Sequence, residues 1–333
     1  MPQQERSASH PVNSQQWIRT SDWQLQQHPY LSLLSASPTT LLGATTLEEQ
    51  LFCQWYADHG VAGQGVTVEH GPWFGSLTIP TARGLKANDA VPESRKIIHV
   101  FDLFLWVSGF DPWVVGTLYQ GRYRPGESFL PLYRDLTSPY EKSVMIVAHQ
   151  EDLAQVRWNG EPVEFLINDA WKQLPIMTNV IAQFFPSLIK GAILFHQDYL
   201  WASESFIHVA MYRLRDFFQS VCRIRNSCAA IFRKIHDMPD GVLQQMAATR
   251  SYADFTEDEI YDAFAWSKSL FDEPEARLAV DAGLAWMLLQ MGNAGAARRI
   301  FRDIKRSSCY QHPFYQFQES TLKQWGLTDV IGE

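Results

Sequence analysis

An α/β chain with a doubly wound, mostly parallel sheet and a C-terminal helical appendage is the fold class that three features of this sequence predict. Nearly continuous apolar runs such as Lys96-Ile-Ile-His-Val-Phe-Asp-Leu-Phe104 suit parallel strands covered on both faces. These runs alternate with segments of helical period, as in successive crossover units. Several of them close on an acid, Asp102, Asp169 and Asp198 among them, and polar groups at strand C-termini mark the ligand crevice of such sheets.

Composition sets the outer bounds. With 333 residues, 46% hydrophobic and 19% charged, the chain has material for one large or two modest domains. The net charge of −8 argues against a nucleic-acid binder, which would present a basic face. The four cysteines, Cys53, Cys222, Cys228 and Cys309, form no CxxC pair and no zinc spacing, so reduced thiols and a cytoplasmic setting are expected. Met1 to Gln16 is polar and lacks the apolar core of a signal peptide. No uncharged apolar stretch reaches the length of about 18 residues that a membrane span needs.

The elements follow in order. Residues 1–22, rich in Gln and Ser, are expected to be a mobile tail, and 23–45 irregular packing at the start of an α/β domain that runs to 240. Thr46 to Tyr56 begins a helix, with Thr45 or Thr46 as cap, acids in the first turn and a stripe of Leu47, Leu51, Phe52 and Trp55. Val66 and Val68 lead a first strand to Glu69. The turn His-Gly-Pro-Trp-Phe-Gly and a helix over Ile79 to Leu85 follow. Gly71 and Gly75 allow a sharp turn and a close backbone approach to a ligand, with the helix amides beyond.

Lys96–Phe104 is the second strand, with Asp102 near its end, where a ribose hydroxyl pair is usually held. The distance from Gly75 exceeds the usual spacing of about 20 residues, and the polar loop Lys86 to Arg95 accounts for the excess. Residues 105–140 form an aromatic-rich insertion broken by glycines, with a short helix between Glu127 and Tyr140, suited to covering a site or to packing on the sheet. Further strands are expected at Val144–Ala148, Val163–Asp169, Ala192–Tyr199 and Ser227–Ile235. Helices are expected at Ile176–Phe185 and, as one long element, at Ser203–Val221. Residues 241–333 read as a helical region, with a hairpin of Leu278–Gln290 and Ala294–Lys305 joined at Gly292-Asn293, available for homo-oligomer contacts or as a lid.

Five signals then stand in one order: Val-Glu-His-Gly-Pro-Trp-Phe-Gly, Val-Phe-Asp-Leu-Phe, Glu-Asp-Leu, Phe-Leu-Ile-Asn-Asp-Ala and Leu-Ile-Lys-Gly-Ala-Ile-Leu-Phe-His-Gln-Asp-Tyr. Over roughly residues 60–235 this set resembles the class I S-adenosylmethionine-dependent methyltransferases, and within them the macrocin O-methyltransferase type, which acts on sugars of natural products. The resemblance implies a Rossmann-like methyltransferase fold and S-adenosylmethionine as cofactor. Glu69, Gly71 and Gly75 fall where the methionine part is held, Asp102 at the ribose, and Asp152 at the adenine amino group. Asp169 falls at a metal-binding or catalytic acid, and Asp198 where adjacent acids complete a metal site. The sequence departs from the pattern twice. The glycine loop carries Pro72, Trp73 and Phe74, and the acid pair is Gln197-Asp198. Asp169, Asp198 and an amide oxygen could still form a Mg²⁺ site.

For the chemistry, an activated sulfonium methyl needs in-line positioning and a base. His196, at the end of the fifth strand with an ordinary pKa near 6.5, is the base expected from sequence. Trp106, Trp113 and Tyr119 are candidates for stacking on a small-molecule or sugar acceptor. The competing readings are a methyltransferase-like fold that binds a ligand or partner without catalysis, and a nicotinamide oxidoreductase. The Gly-x-Gly-x-x-Gly of the last is not present at 71–76.

Overall fold

The computed structural model describes residues 41–312 and 314–316, so the expected tail at 1–22 and the last part of the helical region lie outside the described residues. Seven strands form one sheet in the order β3-β2-β1-β4-β5-β7-β6. They are β1 (Val66–His70), β2 (Ile97–Asp102), β3 (Met145–Gln150), β4 (Val163–Asn168), β5 (Leu188–His196), β6 (Phe218–Arg223) and β7 (Ala230–Lys234). β1 to β5 run parallel, while β7 is antiparallel to both β5 and β6. The α/β, doubly wound, mostly parallel class is therefore the one observed.

The central strands read as continuous apolar runs because both faces are covered. On β4, Val163 and Leu166 enter one core while Phe165 and Ile167 enter the other, and on β5 Leu194 and Phe195 divide in the same way. The first core lies against α4 (Leu174–Phe184), α5 (Phe206–Arg213) and the helices after residue 240. The second lies against α1 (Leu47–His59), α2 (Thr78–Ala87) and the aromatic insertion with α3 (Leu130–Thr137).

α1 starts at the expected cap. The Thr46 side chain accepts from the Glu49 amide at 3.2 Å, and Glu49 accepts from the Thr46 amide at 2.5 Å, a closed capping box worth about 1 kcal/mol. α2 crosses α1 so closely that a Cβ on Gly84 would stand 2.1 Å from the Gln54 carbonyl oxygen. In the insertion, Trp106, Phe129 and Tyr133 are buried core, whereas Trp113 is exposed.

Two sequence expectations fail. The long helix over Ser203–Val221 is instead α5 followed by β6, which pairs with β7 from Phe218 opposite Lys234 to Arg223 opposite Ala230. Phe218-Gln-Ser-Val-Cys-Arg223 carries aromatic and β-branched residues that an edge strand uses as well as a helix does, and pairing to β7 decides. The fifth strand, expected at Ala192–Tyr199, instead spans Leu188–His196, so Gly191 does not precede it. Gly191 lies within it at φ 89, beside a register shift against β4.

The C-terminal region contributes α6 (Asp240–Ala248), α7 (Glu257–Ser269), α8 (Pro274–Gln290) and α9 (Ala294–Arg306). The α8–α9 hairpin turns where expected, with the Asn293 side chain accepting from the Ala296 amide at 3.2 Å. No helix among the described residues is long and apolar enough to cross a membrane.

Candidate active site

Parallel register decides which strand ends meet. His70 stands level with Phe101 and with Asn168, Asn168 with His196, and Asp102 with Gln150. Since β1 to β5 point the same way, the residues at or just beyond their ends form one rim. Along it lie Gly71, Asp102, Glu151, Asp169 and Gln197, in the crevice where the strand order reverses between β1 and β4.

Backbone ties fix the rim. The Gly71 amide donates to the Phe101 carbonyl at 2.9 Å, the Asp169 amide to His70 at 3.0 Å, and the Gln197 amide to Asn168 at 3.0 Å. Gly71 is needed on two counts. Its φ is 73, and a Cβ there would sit 2.8 Å from the Asp169 carbonyl oxygen. The bulky loop residues divide: Phe74 is buried against Trp106 and Phe129, and Pro72 is also buried. Trp73 adopts φ 49, left-handed backbone that a bulky side chain rarely takes, at a cost of about 1–2 kcal/mol. Its indole packs on Phe110 at 4.5 Å and Trp113 at 5.9 Å.

Two cavities open on the rim. The smaller, about 300 Å³, is bordered by Gly71, Asp102, Leu103, Asp152, Leu153 and Ile176, with Glu151 also on its wall. The larger, about 640 Å³, is bordered by Glu49, Trp113, Asp198, Trp201, Glu204 and Ser227. Trp73, Asp169 and Lys172 belong to both and form the wall between them.

Gly71, Asp102 and Asp152 thus stand together, as the sequence suggests. Asp102 accepts from the Phe104 amide at 2.6 Å, and burial raises its pKa from 3.8 to about 6 against that bond. Asp152 holds its own turn, accepting from Ala154 and from the Gln155 side chain. Glu69 and Gly75 do not border the cavity. Glu69 is buried beneath the loop, and Gly75 packs on Thr137 and Tyr133.

The shared wall is an ion cluster. The Lys172 ammonium donates to Asp169 at 3.0 Å and makes a shorter contact with Asp198. The Gln197 amide, oriented to satisfy both groups, donates to Asp169. Burial raises the Asp169 carboxyl well above the ordinary range, with Lys172 pulling it down and Asp198 pushing it up. The Lys172 side chain is about half-exposed, so the partial desolvation that opposes its charge is outweighed by Asp169, Asp198 and Glu204, which raise its pKa. Glu49 and Glu204, across the larger cavity, are each lifted by burial to about 7.

His196 departs from expectation. It is 0% exposed, borders neither cavity, and sits edge-on to Trp171 at 4.7 Å. Burial lowers its pKa to about 3, and its Nδ1 has no hydrogen-bond partner. A ring so enclosed cannot reach an acceptor hydroxyl, so the expectation of a His196 base is withdrawn. The expected Mg²⁺ site does not fit either. Asp169 and Asp198 are adjacent, but a lysine ammonium already lies between them. Among the described residues no group of three His, Cys, Asp or Glu could hold a metal. Trp113 borders the larger cavity, whereas Trp106 and Tyr119 border neither.

Lys172, Glu49, Glu204 and Trp201 carry no strong signal in the sequence. The one available hint is that Lys172 follows the strand-end Asp169 by three residues, a reach that lets its side chain fold back over the strand end.

No protein-family model matches the chain, and no curated protein matches it in sequence. Among solved structures it is similar to CalS11, described as a TDP-rhamnose 3'-O-methyltransferase of calicheamicin biosynthesis, in its apo form. Identity there is 16% and the TM-score 0.44, over 66% of this chain and 93% of that one. A second structure of CalS11, described as a calicheamicin methyltransferase, is similar at 18% identity and a TM-score of 0.44, over 68% of this chain and 94% of that one.

Proposed function

We propose that this chain is an S-adenosylmethionine-dependent methyltransferase that methylates a hydroxyl group of a small molecule or sugar. The observation that carries the reading is the pair of cavities meeting at one wall of Trp73, Asp169 and Lys172, over the C-terminal ends of the parallel strands. One cavity would take the cofactor and the other the acceptor, and the reacting atoms would meet at the shared wall.

The smaller cavity has the donor set the cofactor needs. Asp102 offers a carboxylate to a pair of ribose hydroxyls, and Leu103, Leu153 and Ile176 offer apolar surface to a flat base. With Asp169 paired to Lys172 on the same wall, Asp102, Glu151 and Asp152 leave the lining acidic on balance, which suits a ligand that carries sulfonium and ammonium charges. Its volume lies at the lower end of the range of about 300–1,000 Å³ for small-molecule sites. The bound cofactor would supply a methyl group already activated on sulfur. The protein's part is to orient the acceptor oxygen and to take its proton, a task that falls to Asp169 or Asp198.

The reading is tested by calorimetric titration with S-adenosylhomocysteine, followed by an acceptor screen. Micromolar binding supports it, and absence of binding by the folded chain rejects it. One observation favours a second reading, a fold that binds without catalysis: the strained Trp73 stands in the loop that borders both cavities. Binding of S-adenosylhomocysteine with no transfer to any acceptor would favour that reading.

A further inference from the structure

The two acids at the ends of β4 and β5 are joined by a cation that belongs to the chain. Lys172 Nζ reaches Asp169 Oδ1 at 3.0 Å and also contacts Asp198 Oδ2. The lysine is held there by its local structure. Asp169 is tied to β1 through its amide, and the chain turns tightly from it, with the Lys172 amide donating to the Ala170 carbonyl at 2.7 Å. Trp171, between them, is buried against Phe185. Asp198 is fixed from the other side, its carbonyl accepting from the Trp201 amide at 3.0 Å. The ammonium is therefore brought to both carboxylates by rigid segments, and its side chain is about half-exposed, toward the two cavities whose wall it forms.

A divalent cation at this place would need several oxygen ligands at short range. Asp169 already accepts from Lys172 and from the Gln197 amide, and Asp198 from Lys172. An incoming metal would face a positive charge within hydrogen-bond distance of both of its carboxylate ligands. We infer that the Lys172 ammonium takes the place of a divalent cation here, so that the site orients and polarises its acceptor oxygen without metal. The part concerning the acceptor rests on the methyl-transfer reading. The exchange of metal for lysine does not.

The chemistry balances without a co-reactant. An ammonium has three N–H donors, and two are engaged by Asp169 and Asp198, leaving one for an acceptor oxygen. S-adenosylmethionine, when bound, would supply the methyl: the methyl–sulfur bond would break as the oxygen–methyl bond formed, and its electron pair would stay on sulfur. The hydroxyl proton passes to Asp169 or Asp198. Negative charge that develops on the oxygen before the new bond is complete is met by Lys172, the role a metal would otherwise fill.

The test is a Mn²⁺ titration of the full chain followed by electron paramagnetic resonance, which needs neither cofactor nor acceptor and can be read even if S-adenosylhomocysteine does not bind. The native chain is expected to leave the aqueous Mn²⁺ signal unchanged. Lys172→Ala is expected to bind one Mn²⁺, and Lys172→Ala with Asp198→Asn to lose it. Where an acceptor is in hand, native turnover should survive EDTA, while Lys172→Ala should lose about 100-fold in kcat and recover part of it with Mn²⁺. Mn²⁺ binding by the native chain that Asp198→Asn abolishes would overturn the inference without any lysine variant. So would a folded Lys172→Ala chain that binds no Mn²⁺. A purely structural ion pair would lower the stability of Lys172→Ala but would give neither the new metal site nor the rescue.

Discussion

The Thr78 hydroxyl donates to Oε2 of Glu69 at 2.6 Å, fastening the first turn of α2 to the end of β1. The Tyr133 hydroxyl reaches Thr78 from the insertion at 3.2 Å, so three segments meet at one buried carboxyl. Burial raises Glu69 from 4.5 to about 8, with the Thr78 bond working against it.

That shift, with its counterparts, sets a pH optimum of stability. Glu49, Glu69 and Glu204 are all raised by burial from 4.5, to about 7, 8 and 7. Between 4.5 and those values the folded chain binds more protons than the unfolded one, so their contribution is full below 4.5 and is lost as pH rises through 7–8. His70, His196 and His208 are each lowered by burial from 6.5 to about 3. There the unfolded chain binds more protons, so their contribution is full above 6.5 and is lost as pH falls toward 3. Urea midpoints should peak between pH 4.5 and 6.5, with each group changing stability by at most about 1.4 kcal/mol per pH unit. Glu69→Gln should flatten the alkaline limb. A midpoint that still climbs from pH 6.5 to 8 would contradict this balance.

Asp102 should impose its own titration on ligand binding. Held near 6 by burial, it presents two acceptor oxygens only once ionised. Affinity for S-adenosylhomocysteine should therefore increase as pH rises from 5 to 7. Asp102→Asn should bind roughly 10- to 100-fold more weakly and lose that dependence. An unchanged affinity in the variant would remove Asp102 from the pocket.

His196 and Asp198 should separate stability from turnover. His196→Ala empties a fully buried position and should cost about 1–3 kcal/mol in urea unfolding while leaving the shape of the pH–rate profile intact. Asp198→Asn should fold normally and lose about 100-fold or more in kcat. A profile that loses a limb in a folded His196→Ala chain would return the base to the histidine.

Gly71→Ala should weaken both the fold and the site. It adds backbone strain at φ 73 and drives a Cβ against the Asp169 carbonyl oxygen, with an expected loss of about 2–3 kcal/mol. Gly126→Ala is the control: its φ is 87, but its Cβ would meet nothing within 4 Å, so only the backbone cost of about 1–2 kcal/mol remains. Equal losses in the two variants, measured by thermal unfolding, would show that the contact with Asp169 does not matter.

The sheet was legible because its signals are local. Apolar runs on β2, β4 and β5, the Thr46 cap and the Gly292-Asn293 turn each act within a few residues, through strand and helix periods that the backbone imposes. β6 was not legible, because its residues suit an edge strand or a helix and only pairing with β7 chooses between them. At the site, the positions of Gly71, Asp102 and Asp169 follow from their place at the last residue of a strand (Asp102) or just past one (Gly71 and Asp169), which a parallel register must bring into one rim.

What the sequence determined by itself is that rim: parallel strands and the acids that close them. Tertiary structure alone decided what each polar group on it can do. His196 and Asp198 are two residues apart, yet one is sealed beneath Trp171 and the other opens on a cavity. Lys172 meets Asp198 across 26 positions of chain because β4 and β5 are neighbours in register. The physical reason is that charge, solvation and reach depend on what packs around a side chain in space, and periodicity along the chain carries no record of it.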